Sequence, residues 1–119
     1  MELQRSARLA KRGFPMLEIR PNCELCDCDL PPDADDARIC SYECTYCIAC
    51  VENRLHNVCP TCGGGFVPRP IRPKRSWRSD LKLGLLNYPP SVKRRHSSFS
   101  PEDIASFVAR IRDIPPKDR

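Results

Sequence analysis

The clearest alternation of apolar and polar positions lies near the C-terminus. Ile104, Phe107, Val108 and Ile111 recur at i, i+3, i+4 and i+7, which puts them on one face of a helix over residues 100–113. Ser100 suits the N-cap, Pro101 the first helical position, and Glu102 with Asp103 complements the positive helix start. Pro115-Pro116 stops the helix and leaves 114–119 as a tail. The expected fate of this stripe is packing against the rest of the chain, with a partner or a second copy as the alternative occupant. A second, shorter helix is predicted from Ile48 to Leu55. Residues 69–99 are rich in Pro, Arg and Lys and weakly periodic, so a mostly extended linker is expected, with a short helix near Asp80–Leu86. Residues 1–15 read as a polar, basic leader, and residues 16–68 hold every cysteine.

Composition sharpens this picture. Four Phe, three Tyr and one Trp in 119 residues, against 13 Pro and nine Cys, cannot build a large core. A cysteine-rich unit of this size therefore needs metals or disulfides to fold. The first twenty residues contain no apolar signal-peptide core, and no stretch approaches the roughly 18–20 apolar residues of a membrane span. A cytoplasmic location without a membrane partner is expected, where clustered cysteines are metal ligands rather than disulfides. A transit peptide is the weaker reading of the basic leader.

The cysteines follow C-x2-C-x13-C-x3-C-x2-C-x2-C-x8-C-x2-C from Cys23 to Cys62. A two-residue gap lets one tight turn present both sulfurs to a tetrahedral Zn²⁺ at about 2.3 Å, and four thiolates leave no open position for water. Two structural zinc ions are the expected cofactors, each contributing on the order of 10 kcal/mol of binding energy in place of the missing core. Sequential pairing would join Cys23, Cys26, Cys40 and Cys44, then Cys47, Cys50, Cys59 and Cys62. Interleaved pairing would join Cys23, Cys26, Cys47 and Cys50 as site 1, and Cys40, Cys44, Cys59 and Cys62 as site 2. The interleaved form is favoured because Cys47 and Cys50 fall in the first turn of the short helix, where the dipole helps to stabilise thiolates. A turn, a hairpin and a helix start then make one compact unit. Cys28 is left as a spare thiol, flanked by Asp27 and Asp29, and His56 as a surface imidazole.

The interleaved spacing, the Cys59-Pro60-Thr61-Cys62 knuckle and Leu25 inside the first pair resemble the RING-type cross-brace. In RING ubiquitin ligases an apolar residue at the place of Leu25 contacts the conjugating enzyme. Other features depart from that pattern: no Trp lies between Cys50 and Cys59, Gly63 follows the last cysteine, and Cys44 takes the usual histidine position. The resemblance implies a RING-like, treble-clef two-zinc α+β fold rather than ligase activity. A more extensive likeness runs from about Met16 to Pro73. Met16-Leu17-Glu18-Ile19-Arg20-Pro21-Asn22-Cys23, Asp29-Leu30-Pro31-Pro32, Ala37-Arg38-Ile39-Cys40-Ser41, Glu43-Cys44-Thr45 and Cys59-Pro60 resemble a family of short bacterial cysteine-rich proteins catalogued as a domain of unknown function. That likeness implies a bacterial, cytosolic zinc protein, and makes residues 1–15 an extension or a misassigned start.

Charge is unevenly placed. Residues 21–62 carry −6 and residues 63–100 carry +8 within a total of +5. Eight thiolates around two Zn²⁺ would take the cysteine region to about −10, so the basic segment can fold back and neutralise it. No Gly-rich phosphate loop, Ser/His/Asp set or open metal site is present, so an enzyme is not expected. The favoured function is a zinc-stabilised interaction module whose unknown protein partner meets Leu25, Ile48 or the helical stripe. The alternative is nucleic-acid binding, with Arg69, Arg72, Lys74, Arg75 and Arg78 around Trp77, followed by Lys93, Arg94 and Arg95. A thiol/zinc redox sensor is the third reading.

Overall fold

The computed structural model describes residues 16–119; the leader assigned to residues 1–15 lies outside the described residues. Three short strands, β1 (Ala37–Ile39), β2 (Thr45–Cys47) and β3 (Val67–Pro68), form an antiparallel sheet in the order β2-β1-β3. β1 and β2 make a hairpin in register Ala37↔Cys47, Arg38↔Tyr46 and Ile39↔Thr45. Its turn is closed by the Cys40 amide donating to the Cys44 carbonyl at 3.2 Å and by Glu43 in the left-handed region at φ 69°. Pro68 is tolerated because β3 is an edge strand, where a missing N–H costs no ladder bond.

Helix α1 starts directly from β2, as an α-helical turn at Ile48–Cys50 that widens into a π-helical stretch at Val51–Leu55. His56 ends it in the left-handed region, its N–H bonded to the Val51 carbonyl. Helix α2 (Pro101–Ile111) has Ser100 as N-cap, whose Oγ accepts from the Asp103 amide at 3.1 Å. Ile104 and Val108 are buried, and Phe107 and Ile111 pack half-buried against the core, beside the π-helical part of α1. The stripe Ile104, Phe107, Val108 and Ile111 is thus used inside the chain, and does not form the open partner surface that was its alternative role. The core joins these residues to Leu30, Ala37, Tyr46, Val51, Leu55, Val58 and buried cysteines.

Residues 69–99 are irregular, but they wrap the cysteine region rather than run free of it. The short helix expected near Asp80–Leu86 is absent; turns stand in its place. Gly84 adopts φ +83°, and a Cβ there would lie 2.7 Å from the Arg75 carbonyl carbon, so the chain doubles back where a helix would continue. The Leu85 and Leu86 amides bond to the carbonyls of Pro73 and Lys74, and the Ser76 hydroxyl ties Leu81 to Leu83. Further on, Ser91 donates to the Glu18 and Ile19 carbonyls and Ser97 to the Glu24 carbonyl.

Candidate metal centre

The hairpin decides which cysteines can meet. Cys40 and Cys44 flank its turn, while Cys47 sits at the open end opposite Ala37. Three strand residues separate those ends by about 10 Å, so thiols gather in two places. Around the open end, the sulfurs of Cys23, Cys26, Cys28 and Cys47 lie within 4.8 Å of one another; at the turn end, those of Cys40, Cys44 and Cys59 do so. All nine cysteines are free thiols.

The first group is delivered by a loop at residues 21–30. It is pinched by the Asn22–Asp29 bridge and by the Leu30 amide donating to the Pro21 carbonyl at 2.8 Å. The amides of Leu25 and Cys26 both point at the Cys23 sulfur, at 3.4 Å each, as in a metal-binding knuckle. Cys26 and Cys47 sulfurs stand 3.8 Å apart. That matches the sulfur–sulfur edge of a tetrahedron built on metal–sulfur bonds of about 2.3 Å, and is far longer than a disulfide of about 2.05 Å. Cys50, one turn into α1, is buried in the same core as Cys47 and Cys23 but lies outside this close group, in which Cys28 takes the fourth place. Burial works against ionisation of Cys26, but the Cys28 amide and the thiols of Cys28, Cys23 and Cys47 bring it down to about 7. Burial and the neighbouring Cys26 and Cys47 sulfurs push Cys28 up to about 12.

In the second group, hydrogen bonds from the Cys44 and Cys59 thiols, helped by the Tyr42 and Cys44 amides, hold Cys40 down at about 2. The same sharing with Cys40 and Cys44, together with burial, raises Cys59. Three buried thiols converging on one point suit a metal ion, since a coordinated thiol is deprotonated outright. The Gly64 amide donates to the Cys62 sulfur at 3.3 Å. Cys62 is half-buried, and its own sulfur lies outside the tight trio. His56 belongs to neither group. Both donor sets suit a soft or borderline metal cation.

Several residues the sequence did not single out build this centre. Asn22, fully buried, donates to the Cys23 carbonyl, Asp27 and the Arg95 carbonyl, and accepts from the Arg95 amide. Glu24, inside the first knuckle, accepts from the Thr45 amide at 2.7 Å and from Arg20 at 2.8 Å, which locks that knuckle to β2. Tyr46 is buried between the two thiol groups, edge-on to Phe66 at 5.4 Å; burial, then the charges of Cys59, Glu24, Cys44 and Cys23, push its hydroxyl upward. Cys28 joins the first group rather than standing apart. Its two-residue spacing from Cys26 was the available signal, but the left-handed Asp27 (φ 66°) that turns both sulfurs inward cannot be read from sequence.

Two of the basic residues expected at phosphate serve the fold instead. Arg69, 4% exposed, donates to the carbonyls of Arg20, Leu30 and Pro31. Arg72 bridges the Leu17 and Tyr88 carbonyls. Carbonyls at the two ends of the cysteine loop need donors, and a guanidinium supplies several in fixed geometry. Arg94 pairs with Asp27 and Asp29, Arg95 with Glu18, and His96 with Asp27. Lys74, Arg75, Trp77 and Arg78 stay exposed, with Arg75 6.0 Å over the Trp77 ring. Leu25 and Ile48 are half-buried, Leu25 against the core.

Fold and site together define a small α+β protein whose described residues form a three-stranded sheet, two helices and cysteine groups compatible with metal binding. The chain belongs to the family described as Protein of unknown function (DUF1272), which matches residues 16–72. It is 51% identical over 79 residues to an uncharacterized protein of Rhizobium meliloti (strain 1021), covering 66% of this chain and 84% of that one. No solved structure matches it. Among the described residues, no helix is long and apolar enough to cross a membrane.

Proposed function

We propose that this protein is a non-catalytic interaction module of the bacterial cytoplasm, with a RING-like cross-brace of two structural zinc ions. Site 1 takes Cys23, Cys26, Cys47 and a further thiol; site 2 takes Cys40, Cys44, Cys59 and Cys62, the last by a side-chain rotation on ion binding. The observation that carries the reading is the convergence of cysteines distant in sequence on two foci, with a 3.8 Å sulfur–sulfur edge and backbone amides aimed at Cys23, Cys40 and Cys62. Zinc suits four thiolates in a tetrahedron without redox chemistry, and a full shell serves folding rather than catalysis. The test is elemental analysis with native mass on protein purified under reducing, chelator-free conditions. Two zinc ions per chain are expected; one ion or none would overturn the scheme.

The surface proposed for a protein partner is the segment 71–86, where Ile71, Trp77, Leu81, Leu83 and Leu86 are exposed. A second reading, single-stranded nucleic acid, is favoured by one feature of that segment. Trp77 is 78% exposed with Arg75 against it and Lys74 and Arg78 beside it, and none of these cations makes an ion pair among the described residues. A stacking aromatic is worth about 1–3 kcal/mol per base. Under this reading a labelled oligonucleotide binds at low salt and weakens steeply with added salt, and Trp77→Ala lowers affinity about tenfold or more. Absence of binding at 50 mM salt would eliminate it.

A further inference from the structure

Site 1 contains more sulfur than one tetrahedral ion can use. Cys23, Cys26, Cys28 and Cys47 form the mutually close group, while Cys50, one turn along α1 from Cys47, shares the buried core with Cys23 and Cys47. Cys50 is 5% exposed and sits in the core; Cys28 is on the surface. Two thiols therefore compete for the fourth position, one from the interior and one from solvent. Nothing comparable exists at site 2, where Cys40, Cys44 and Cys59 are all buried and Cys62 is the one further cysteine.

The loop that brings Cys28 is tied down from outside as well as from within. Arg94 grips Asp27 and Asp29 at 2.9 and 2.8 Å, and His96 reaches Asp27 at 2.9 Å. These contacts are solvent-exposed, so they are individually weak. Cys26 and Cys28 thus share an exposed loop, whereas Cys23 and Cys47 belong to the buried frame.

We propose that site 1 is a five-thiol exchange site, in which Cys28 and Cys50 alternate as the fourth zinc ligand and make this ion the transferable one. The inference rests on the two-zinc reading above. When Cys28 enters, its thiol gives a proton to solvent and forms a sulfur–zinc bond; the bond to Cys50 breaks, and the freed sulfur takes up a proton. No electrons move, and each sulfur that binds is matched by one that leaves. An external thiolate or chelator then meets an ion already drawn to the surface. Exchange by ligand substitution is faster than full release, because no step leaves zinc with an open valence.

The experiment uses the full chain loaded with zinc and challenged by excess chromogenic chelator. Wild-type protein should release zinc in two separate phases, one ion each, and Cys28→Ser should slow the fast phase about tenfold while keeping two ions. Cys50→Ser should also keep two ions, and its cobalt form should retain the thiolate-to-metal absorption of four sulfurs at each site. The double variant should lose one ion. A fast phase unchanged by Cys28→Ser, or loss of an ion from Cys50→Ser alone, would overturn the exchange site while leaving the two-zinc module intact. Fewer than two ions in wild-type protein would overturn both. Should Cys50→Ser fail to fold, the surface change Cys28→Ser still decides the matter by its release kinetics.

Discussion

If the protein holds the two zinc ions proposed, Cys59→Ser is expected to bind one ion fewer than the parent chain and to lose its cooperative unfolding transition. Cys59 is fully buried, its thiol lies within 4.8 Å of those of Cys40 and Cys44, and its backbone is bonded on both sides, from the Gly63 amide and to the Gly64 carbonyl. Serine keeps the volume but is a far poorer zinc ligand, so the site loses binding energy on the order of 10 kcal/mol. That is comparable with the entire stability of a small domain, about 5–15 kcal/mol. The remaining apolar core cannot make up the difference. It consists of Leu30, Ala37, Tyr46, Val51, Leu55, Val58, Ile104 and Val108, with Leu25, Phe66, Phe107 and Ile111 half-buried against them, and the cysteines lie in the same cluster. Acid should act in the same direction, because ligand thiols must shed protons to bind metal and reclaim them as pH falls. Metal content and the far-ultraviolet dichroism melt check this together. A variant that keeps two ions and melts within a few degrees of wild type would refute the structural role of site 2.

The second large effect is expected from Arg69→Ala, which should destabilise the zinc-loaded protein by about 2–4 kcal/mol without altering its zinc content. The guanidinium donates to the Arg20 carbonyl at 2.8 Å, Leu30 at 3.2 Å and Pro31 at 2.8 Å, binding both ends of the first cysteine loop to the strand-edge segment. Burial lowers its pKa, partly offset by the charge of Asp36. Truncation leaves those carbonyls without their donor in a dry setting, which costs more than the bonds themselves contribute. Lysine would recover only part of the loss, since one ammonium cannot reach three separate carbonyls in the same geometry. Urea denaturation of wild type, Arg69→Ala and Arg69→Lys measures it. A change below about 0.5 kcal/mol for alanine, the range of an ordinary surface position, would show that the buried bonds contribute nothing.

Much of this architecture was legible in the chain, and the legible parts share a cause. Helix α2 was predicted over 100–113 and spans Pro101–Ile111, with Ser100 capping it, because its signals are all local: a cap, a proline, two acids and a 3.6-residue stripe. The helix over Ile48–Leu55 was likewise visible, though not its π-helical second half. Family membership was carried by short motifs around the cysteines, and the matched residues 16–72 lie within the span from Met16 to Pro73 that suggested it. The segment near Asp80–Leu86 was misread as helical because Gly84 looks like one poor helix former among acceptable ones. Only the approach of its backbone to Arg75 shows why a glycine is needed there.

What the sequence determined by itself is the kind of object: too few large apolar residues for an independent core, cysteines at metal-ligand spacings, and a basic segment beside an acidic one. Those are properties of composition and of residues a few positions apart, and they survive without knowledge of the fold. Tertiary structure alone decided which residues do which work. The sequence could not say that Arg69 and Arg72 would be taken by carbonyls, that Arg94, Arg95 and His96 would return to Glu18, Asp27 and Asp29, or that Cys28 would join Cys23, Cys26 and Cys47. Each of those choices depends on where backbone carbonyls and carboxylates from distant positions are left unpaired once the hairpin has closed. Hydrogen-bond donors go where burial creates that need, and burial is a property of the folded chain.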